Sequence, residues 1–140
     1  MTAAPSYAAS RAVALRAPLA VLGVVAAATT YVGVVDPGEA GHYPGCPFLA
    51  LTGLYCPFCG SLRAVHALVR GDLPGAIGRN ALTVAGGVVL AVLWVGWVAR
   101  RARGVASGVT VPAGVWPALG VAVLVFGVAR NLPFAAVLAP

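Results

Sequence analysis

The sequence predicts an all-α integral membrane protein with three transmembrane helices and a short interfacial amphipathic helix between the first two. Composition supports the membrane class: 61% of the 140 residues are hydrophobic and 9% are charged, whereas a water-soluble domain carries roughly 25% charged residues. The mean hydropathy of +0.96 agrees. Patterning supports the helix count, because three apolar stretches approach the roughly 20 residues that a membrane helix needs.

The three predicted spans cover residues 18–35, 81–99 and 111–129. Pro18 is expected in the first turn of the first span, where a helix tolerates proline. Asn80 is expected to cap the second span through its side-chain oxygen. Pro112 and Pro117 predict that the third span either kinks early or starts near residue 117.

Arginine placement predicts the orientation of these spans. The chain has a net charge of +6 and contains nine arginines and no lysine. The arginines that flank the first two spans are Arg11, Arg16, Arg100, Arg101 and Arg103. By the positive-inside rule, residues 1–17 form a cytoplasmic N-terminal tail, and the loop after the second span is cytoplasmic as well. Residues 18–140 then form a single domain in a bacterial inner membrane, with segment 36–80 facing outward.

A cleaved signal peptide is the alternative for the first apolar stretch. Ala26-Ala27-Ala28 would supply the small residues of the cleavage site. The apolar run continues to Val35, however, which is longer than a signal core requires. A span is therefore favoured, and the segment that follows faces the same side of the membrane in either case.

Segment 36–80 holds most of the polar variety. Asp36-Pro37 begins a turn, residues 41–47 are too rich in Gly and Pro for a helix, and residues 48–55 are apolar but short, so they either lie in the interface or re-enter the membrane. Residues 60–69 have the period of an amphipathic helix. Its predicted polar side carries Cys59, Arg63, His66 and Arg70, and its apolar side Leu62, Val65 and Val69. Asp72 is expected to cap the next short helix.

All three cysteines and both histidines lie within residues 42–66, and three interpretations are open. The thiolates of Cys46, Cys56 and Cys59 with His42 or His66 would make a tetrahedral Zn²⁺ site. His42 is the easier fourth ligand, because two helical turns, roughly 10 Å, separate His66 from Cys59.

The other two interpretations need no metal. In a thiol-disulfide redox protein, Cys56 of the Cys56-Pro57-Phe58-Cys59 pair would attack and Cys59 would resolve the mixed disulfide. In a structural staple, Cys46 would form a disulfide with Cys56 or Cys59 and fix the loop at the membrane.

Several further residues are expected to serve packing or the interface rather than chemistry: Arg63, Asp72, Asn80, Arg130 and Asn131. Arg130 is expected to meet lipid phosphate or water, and the indoles of Trp94, Trp97 and Trp116 are expected to form an aromatic belt. A carboxylate pair, a phosphate-binding loop and a Ser/His/Asp set are all missing from the sequence. The absence of a basic patch with interleaved aromatics excludes nucleic acid as a predicted partner.

The segment from His42 through Asn80 resembles a family of small bacterial membrane proteins known as domain of unknown function 2752. The resemblance rests on four runs: His42 to Phe48, Leu51 to Ala64 with His66, Gly71-Asp72 with Ala76 and Asn80, and the C-terminal Arg130-Asn131-Leu132-Pro133. The family usually has Pro-Gly between the paired cysteines and often Thr before the arginine. This chain has Pro57-Phe58 and Leu62 at those positions.

Taken together, these features favour a non-enzymatic membrane subunit or scaffold whose outer cysteine segment is fixed by a disulfide or a metal. A redox protein and a zinc-binding module are the alternatives. The expected partners are the lipid bilayer and either a second copy of the chain or another membrane protein, because three helices alone leave much apolar surface uncovered.

Overall fold

The structure is a computed structural model that describes residues 7–39, 41–105 and 111–133. These residues form helices and connecting turns, with no strand in the described ranges. The helices are α1 (Tyr7–Val34), α2 (Pro47–Thr52), α3 (Ser61–Val69), α4 (Leu73–Ala102) and α5 (Val115–Ala129). Helices α1, α3 and α4 pack against one another. The all-helical prediction is confirmed for the described residues.

Helix α1 begins at Tyr7, so the prediction that the first helix starts at Pro18 is wrong. Residues 7–17 are mostly Ala, Leu, Val and Arg, which favour or accept a helix, and the helix simply continues through Pro18. Apolar helices tolerate an internal proline where neighbouring groups bind the freed backbone. The group freed by Pro18 is the Ala14 carbonyl, which lacks the N–H four residues later. The Trp94 indole Nε1 of α4 donates a hydrogen bond to the carbonyl of Pro18 itself at 3.1 Å, which links α1 to α4 at this point.

Helix α4 consists of two helical segments joined at Asn80. Asn80 has an extended backbone (φ −162°, ψ 93°) within the otherwise helical range. Its Oδ1 accepts the Thr83 N–H at 3.0 Å, which is the contact of an N-cap. Asp72 caps the preceding segment by accepting the Gly75 N–H at 2.9 Å. Both predicted caps are confirmed.

Helix α3 is confirmed, and Ala64, His66 and Ala67 are the residues that it buries in the bundle. Leu62 and Val69, from the predicted apolar side, are about half exposed. Val69 lies close to α1, since a Cβ placed on Gly33 would come within 2.8 Å of its side chain. The predicted polar side is divided, since Arg63 and Arg70 are exposed and Cys59 and His66 are not.

Helix α2 follows Cys46 and was not expected from the sequence. It covers six residues and ends at Gly53, whose φ of 69° is favourable for glycine. Pro47 occupies its first turn, where the missing N–H costs nothing. The short apolar run predicted to lie in the interface or to re-enter the membrane is therefore partly helical.

Two helical stretches are long and apolar enough to cross a membrane by length and composition, Val13–Val34 and Leu73–Ala102. Helix α5 is apolar but has 15 residues, so it is only ~22 Å long at 1.5 Å per residue. The structure thus provides two candidate spans, and the third span stays a prediction. Leu90, Val92 and Leu124 are each exposed by about two thirds, as expected of lipid-facing residues.

Candidate metal centre

Cys46, Cys56 and Cys59 meet between α2 and α3. Cys46 immediately precedes α2, and the other two belong to the segment 54–60, here called the cysteine loop. A tight turn brings Cys56 and Cys59 together, since the Cys59 N–H donates to the Cys56 carbonyl at 3.1 Å. Gly60 then starts α3 with a φ of 81°, a conformation that glycine adopts without strain.

The three sulfur atoms all lie within 4.8 Å of one another. The Sγ–Sγ distance is 3.6 Å for Cys46 and Cys56, and 3.2 Å for Cys56 and Cys59. All three cysteines are free, and a disulfide would require ~2.05 Å. Thiolates that bind Zn²⁺ tetrahedrally at ~2.3 Å lie ~3.8 Å apart. The arrangement therefore suits three ligands of one metal ion, with a fourth position left to another group.

The thiols differ in acidity. Burial, followed by the hydrogen bonds with Cys56 and Cys46, raises the pKa of the Cys59 thiol to about 12. The pKa of the Cys46 thiol is lowered, first by the backbone N–H of Leu49 and then by Cys59. The Cys46 thiol therefore ionises more easily than an ordinary cysteine, whereas the Cys59 thiol keeps its proton. A cation that bound all three sulfurs would have to displace the Cys59 proton.

Arg130 binds the cysteine loop from the end of α5. Its Nη1 donates to the carbonyls of Cys56 at 3.0 Å, Pro57 at 3.2 Å and Cys59 at 3.0 Å. Its Nη2 reaches the Arg79 carbonyl at 3.4 Å, and its guanidinium carbon lies 5.2 Å from the Phe126 ring centroid. Arg130 is only 1% exposed. The prediction that it meets lipid phosphate or water is therefore wrong, because the loop carbonyls enclose it.

Two asparagines complete the contacts to the loop backbone. Asn80 Nδ2 donates to the carbonyls of Pro57 at 2.9 Å and Cys59 at 3.0 Å. Asn131 pairs with both backbone groups of Tyr55: its Oδ1 accepts the N–H and its Nδ2 donates to the carbonyl, each at 2.8 Å. We call Asn80, Arg130 and Asn131 the carbonyl clamp. It holds the loop in one conformation from two different helices.

The group of three sulfurs includes neither histidine among the described residues. His66 faces α1, where its Nδ1–H donates to the Val32 carbonyl at 2.7 Å. Its Nε2 lies 3.8 Å from Asp36 Oδ2. His42 is exposed in the turn that precedes Cys46. The structure thus brings the three predicted cysteines together and places His66 in a different contact.

The remaining predicted residues lie at the ends of the helices. Asp72 caps α4, as described, and Arg63 is exposed on α3 at the edge of a polar cavity. Two further contacts that position the loop were not expected from the sequence. Ser61 and Thr83 hydroxyls meet at 2.7 Å, and Gly127 of α5 lies against Pro57. For the second contact, the sequence does contain an indication: a glycine at position 127 permits close approach of another segment.

Fold and site together define a small, apolar, all-helical protein with two candidate membrane spans and a cluster of three cysteines, two of which lie on the clamped cysteine loop. Residues 46–94 match the family described as "Protein of unknown function (DUF2752)", which confirms the resemblance inferred from the sequence. The match ends before α5, so the resemblance of the C-terminal Arg130 and its neighbours to that family stays a prediction. Neither a curated protein nor a solved structure matches the chain.

Proposed function

We propose that the protein is a non-enzymatic subunit or scaffold of the bacterial inner membrane, and that Cys46, Cys56 and Cys59 bind a Zn²⁺ ion. The observation that supports the metal is the grouping of three free sulfurs within 4.8 Å. Zn²⁺ prefers thiolate and imidazole ligands in a tetrahedral arrangement. The ion would fix the segment that connects the first two spans.

The carbonyl clamp supports this proposal in two ways. It presents Cys56 and Cys59 in position before an ion arrives, which lowers the cost of ordering the ligands. It also brings a positive charge: three thiolates and one Zn²⁺ carry a net charge of −1, and the Arg130 guanidinium compensates it in a poorly solvated place. His42 is the proposed fourth ligand, since His66 is engaged with Val32 and Asp36.

The proposed topology has three spans, with α5 as the third and residues 1–17 on the cytoplasmic side. Segment 36–80 then lies outside the cytoplasm, and residues 18–140 form a single membrane domain. The distribution of arginines supports this orientation. Trp116 near the start of α5 and Arg130 at its end flank the apolar stretch, and a span shorter than the bilayer is accommodated by local thinning.

Metal content of the detergent-purified protein tests the metal. We expect about one zinc per chain, as for a closed structural site, and substantial loss of zinc in Cys46→Ser, Cys56→Ser and Cys59→Ser. Thr29→Ala is the control: it removes a hydroxyl that bonds the α1 backbone at Val25 and Ala26 rather than the loop, and should retain the zinc. His42→Ala should weaken zinc binding, while His66→Ala should leave it unchanged. Wild-type protein that holds no metal with three intact thiols would contradict the proposal.

A second candidate is a thiol-disulfide redox protein, favoured by the 3.2 Å separation of Cys56 and Cys59 sulfurs. Joining them releases two protons and two electrons, and a membrane quinone would be the acceptor. The buried Cys59 thiol would be the resolving residue, and the half-buried Cys56 the one that meets a substrate. Reversible loss of two thiols on quinone addition, without bound zinc, would support this candidate over the metal.

A further inference from the structure

A polar cavity separate from the cysteine cluster lies between the turn after α1, helix α3 and the start of α4. Its volume is about 310 Å³, which reaches the lower end of the range of small-molecule sites. The titratable residues that line it are Asp36, Arg63, His66, Arg70, Asp72 and Arg79. Three guanidinium groups therefore share one concave space in a chain that is otherwise poor in charge.

The three arginines of the cavity are not neutralised by its carboxylates. Within the described part of the chain, one ion pair has a nitrogen–oxygen distance of 4.0 Å or less. It joins His66 and Asp36 and involves none of the three arginines. Asp72 instead accepts the Gly75 N–H, and Asp36 accepts the Gly38 N–H at 2.7 Å. The arginine charges thus outnumber the acidic ones by three to two. Arg70 and Arg79 are near enough to Asp36 to help lower the pKa of its carboxyl, after the Gly38 N–H and His66, but neither forms an ion pair with it within 4.0 Å.

The chemistry of the arginines indicates the ligand. Guanidinium groups bind phosphate oxygens in a bidentate, charge-assisted manner. Arg63 and Arg70 are seven residues apart on α3, so they lie on the same side of the helix about two turns apart. Arg79 approaches from α4. An anion that enters between the two helices would be contacted from both.

We propose that this cavity binds a phosphate group, carried either by a free phosphate compound or by the headgroup of an anionic lipid. The cavity lies where α1 ends and α4 begins, which is the level of lipid headgroups if both helices cross the membrane. Basic pockets between membrane helices bind anionic headgroups in this way. The site involves no cysteine and does not depend on a bound metal.

Two probes distinguish the sources of phosphate. Inorganic phosphate is titrated by calorimetry into protein purified in phosphate-free zwitterionic detergent, and nanodiscs of phosphatidylcholine with or without phosphatidylglycerol are analysed by native mass spectrometry. Binding of inorganic phosphate indicates a free phosphate compound. Retention of phosphatidylglycerol without inorganic phosphate binding indicates a headgroup. Wild-type protein that binds neither probe overturns the proposal.

Four substitutions test the residues. Arg63→Gln, Arg70→Gln and Arg79→Gln should each weaken binding about tenfold or more, as expected for loss of a charge-assisted hydrogen bond. Asp36→Asn keeps an acceptor for the Gly38 N–H but removes a negative charge, so it should strengthen binding several-fold, an effect that mere damage to the fold would not produce. Arg103→Gln, an exposed arginine beyond the far end of α4, is the matched control. Equal weakening by Arg103→Gln, or unchanged binding in all three cavity variants, would overturn the proposal.

Discussion

Arg130 acts on the thiols indirectly, through the backbone of the loop that carries them. In the hydrogen bonds described, it contacts three carbonyls of the loop and none of its sulfur atoms. Leaving a buried carbonyl without a hydrogen-bond donor costs free energy of folding. A hydrogen bond from a charged donor stabilises the fold more than one from a neutral donor. Loop geometry and thiol exposure should therefore depend on this one side chain.

We expect Arg130→Gln to lower the free energy of unfolding by on the order of 3 kcal/mol, because a shorter neutral amide cannot reach all three carbonyls. Alkylation of Cys59 should also become faster, since the loop that buries it loses its main contact. Thermal unfolding in detergent and the rate of maleimide labelling measure the two effects. Arg103→Gln, outside the loop, should change neither. Labelling at the wild-type rate in Arg130→Gln would contradict the role assigned to the guanidinium.

Asn80 illustrates what the sequence predicts at the scale of a residue. Its role as a cap follows from local chemistry, an amide oxygen three residues before the N–H that it accepts. Its other role, donating to the carbonyls of Pro57 and Cys59, joins positions 23 and 21 residues apart, and no local pattern indicates it. Arg130 was misjudged for the same reason, because an arginine that ends an apolar helix ordinarily reaches headgroups or water.

At the scale of elements, α5 is attached to the rest of the molecule through its C-terminal end. Gly127 faces Pro57, and a Cβ at that position would lie 2.9 Å from the Pro57 ring. A proline ring in a clamped loop has little freedom to move. The glycine thus sets how closely α5 approaches the cysteine loop, and with it whether Arg130 and Asn131 can reach their carbonyls.

Gly127→Ala should therefore destabilise the protein by about 1–3 kcal/mol, the usual cost of overpacking. Gly120→Ala, in the same helix with nothing within 4 Å of the added Cβ, is the control. It should be neutral or slightly stabilising, because alanine favours a helix more than glycine does. Thermal unfolding of the two variants side by side gives the comparison. Equal stability of both variants would show that α5 does not rest on the loop in this way.

Helix existence was easier to predict than helix ends or buried faces. The length of the apolar stretches indicated α1 and α4, and the helical spacing of polar and apolar residues indicated α3. The start of α1 was misplaced, because Pro18 was taken as a boundary although the residues before it also suit a helix. Period indicated a polar and an apolar side of α3 but not which residues pack against α1 and α4. Ala64 and Ala67 are the buried apolar residues, while Val69 lies against Gly33 and stays about half exposed.

For the whole molecule, the arginines explain an apparent conflict in the proposed orientation. Arg63, Arg70 and Arg79 lie in the segment proposed to face outward, against the general bias of basic residues to the cytoplasm. In the structure these three line one cavity together with Asp36 and Asp72. Because they share one concave site with two carboxylates, they weigh little against Arg100, Arg101 and Arg103 at the C-terminal end of α4.

Reporter fusions test the three-span topology. We expect alkaline phosphatase to be inactive when fused after Gly104 and active when fused after Pro140, because that enzyme needs an oxidising compartment for its disulfides. Green fluorescent protein fused at the same two positions should give the opposite result. The same reporter activity at both positions would show that α5 does not cross the membrane, and would reduce the protein to two spans.

The carbonyl clamp also implies an order of events during synthesis. Arg130 follows the cysteine-loop carbonyls that it binds by 71 to 74 residues, and chains emerge N-terminus first. Cys46, Cys56 and Cys59 are therefore translated well before the side chain that fixes their loop. An ion that binds during synthesis would meet an open loop, whereas an ion that binds the complete chain would meet ligands that the clamp already positions. In either case the proposed ion ends beneath a backbone that α5 holds closed, so the C-terminal helix would govern how long the ion stays.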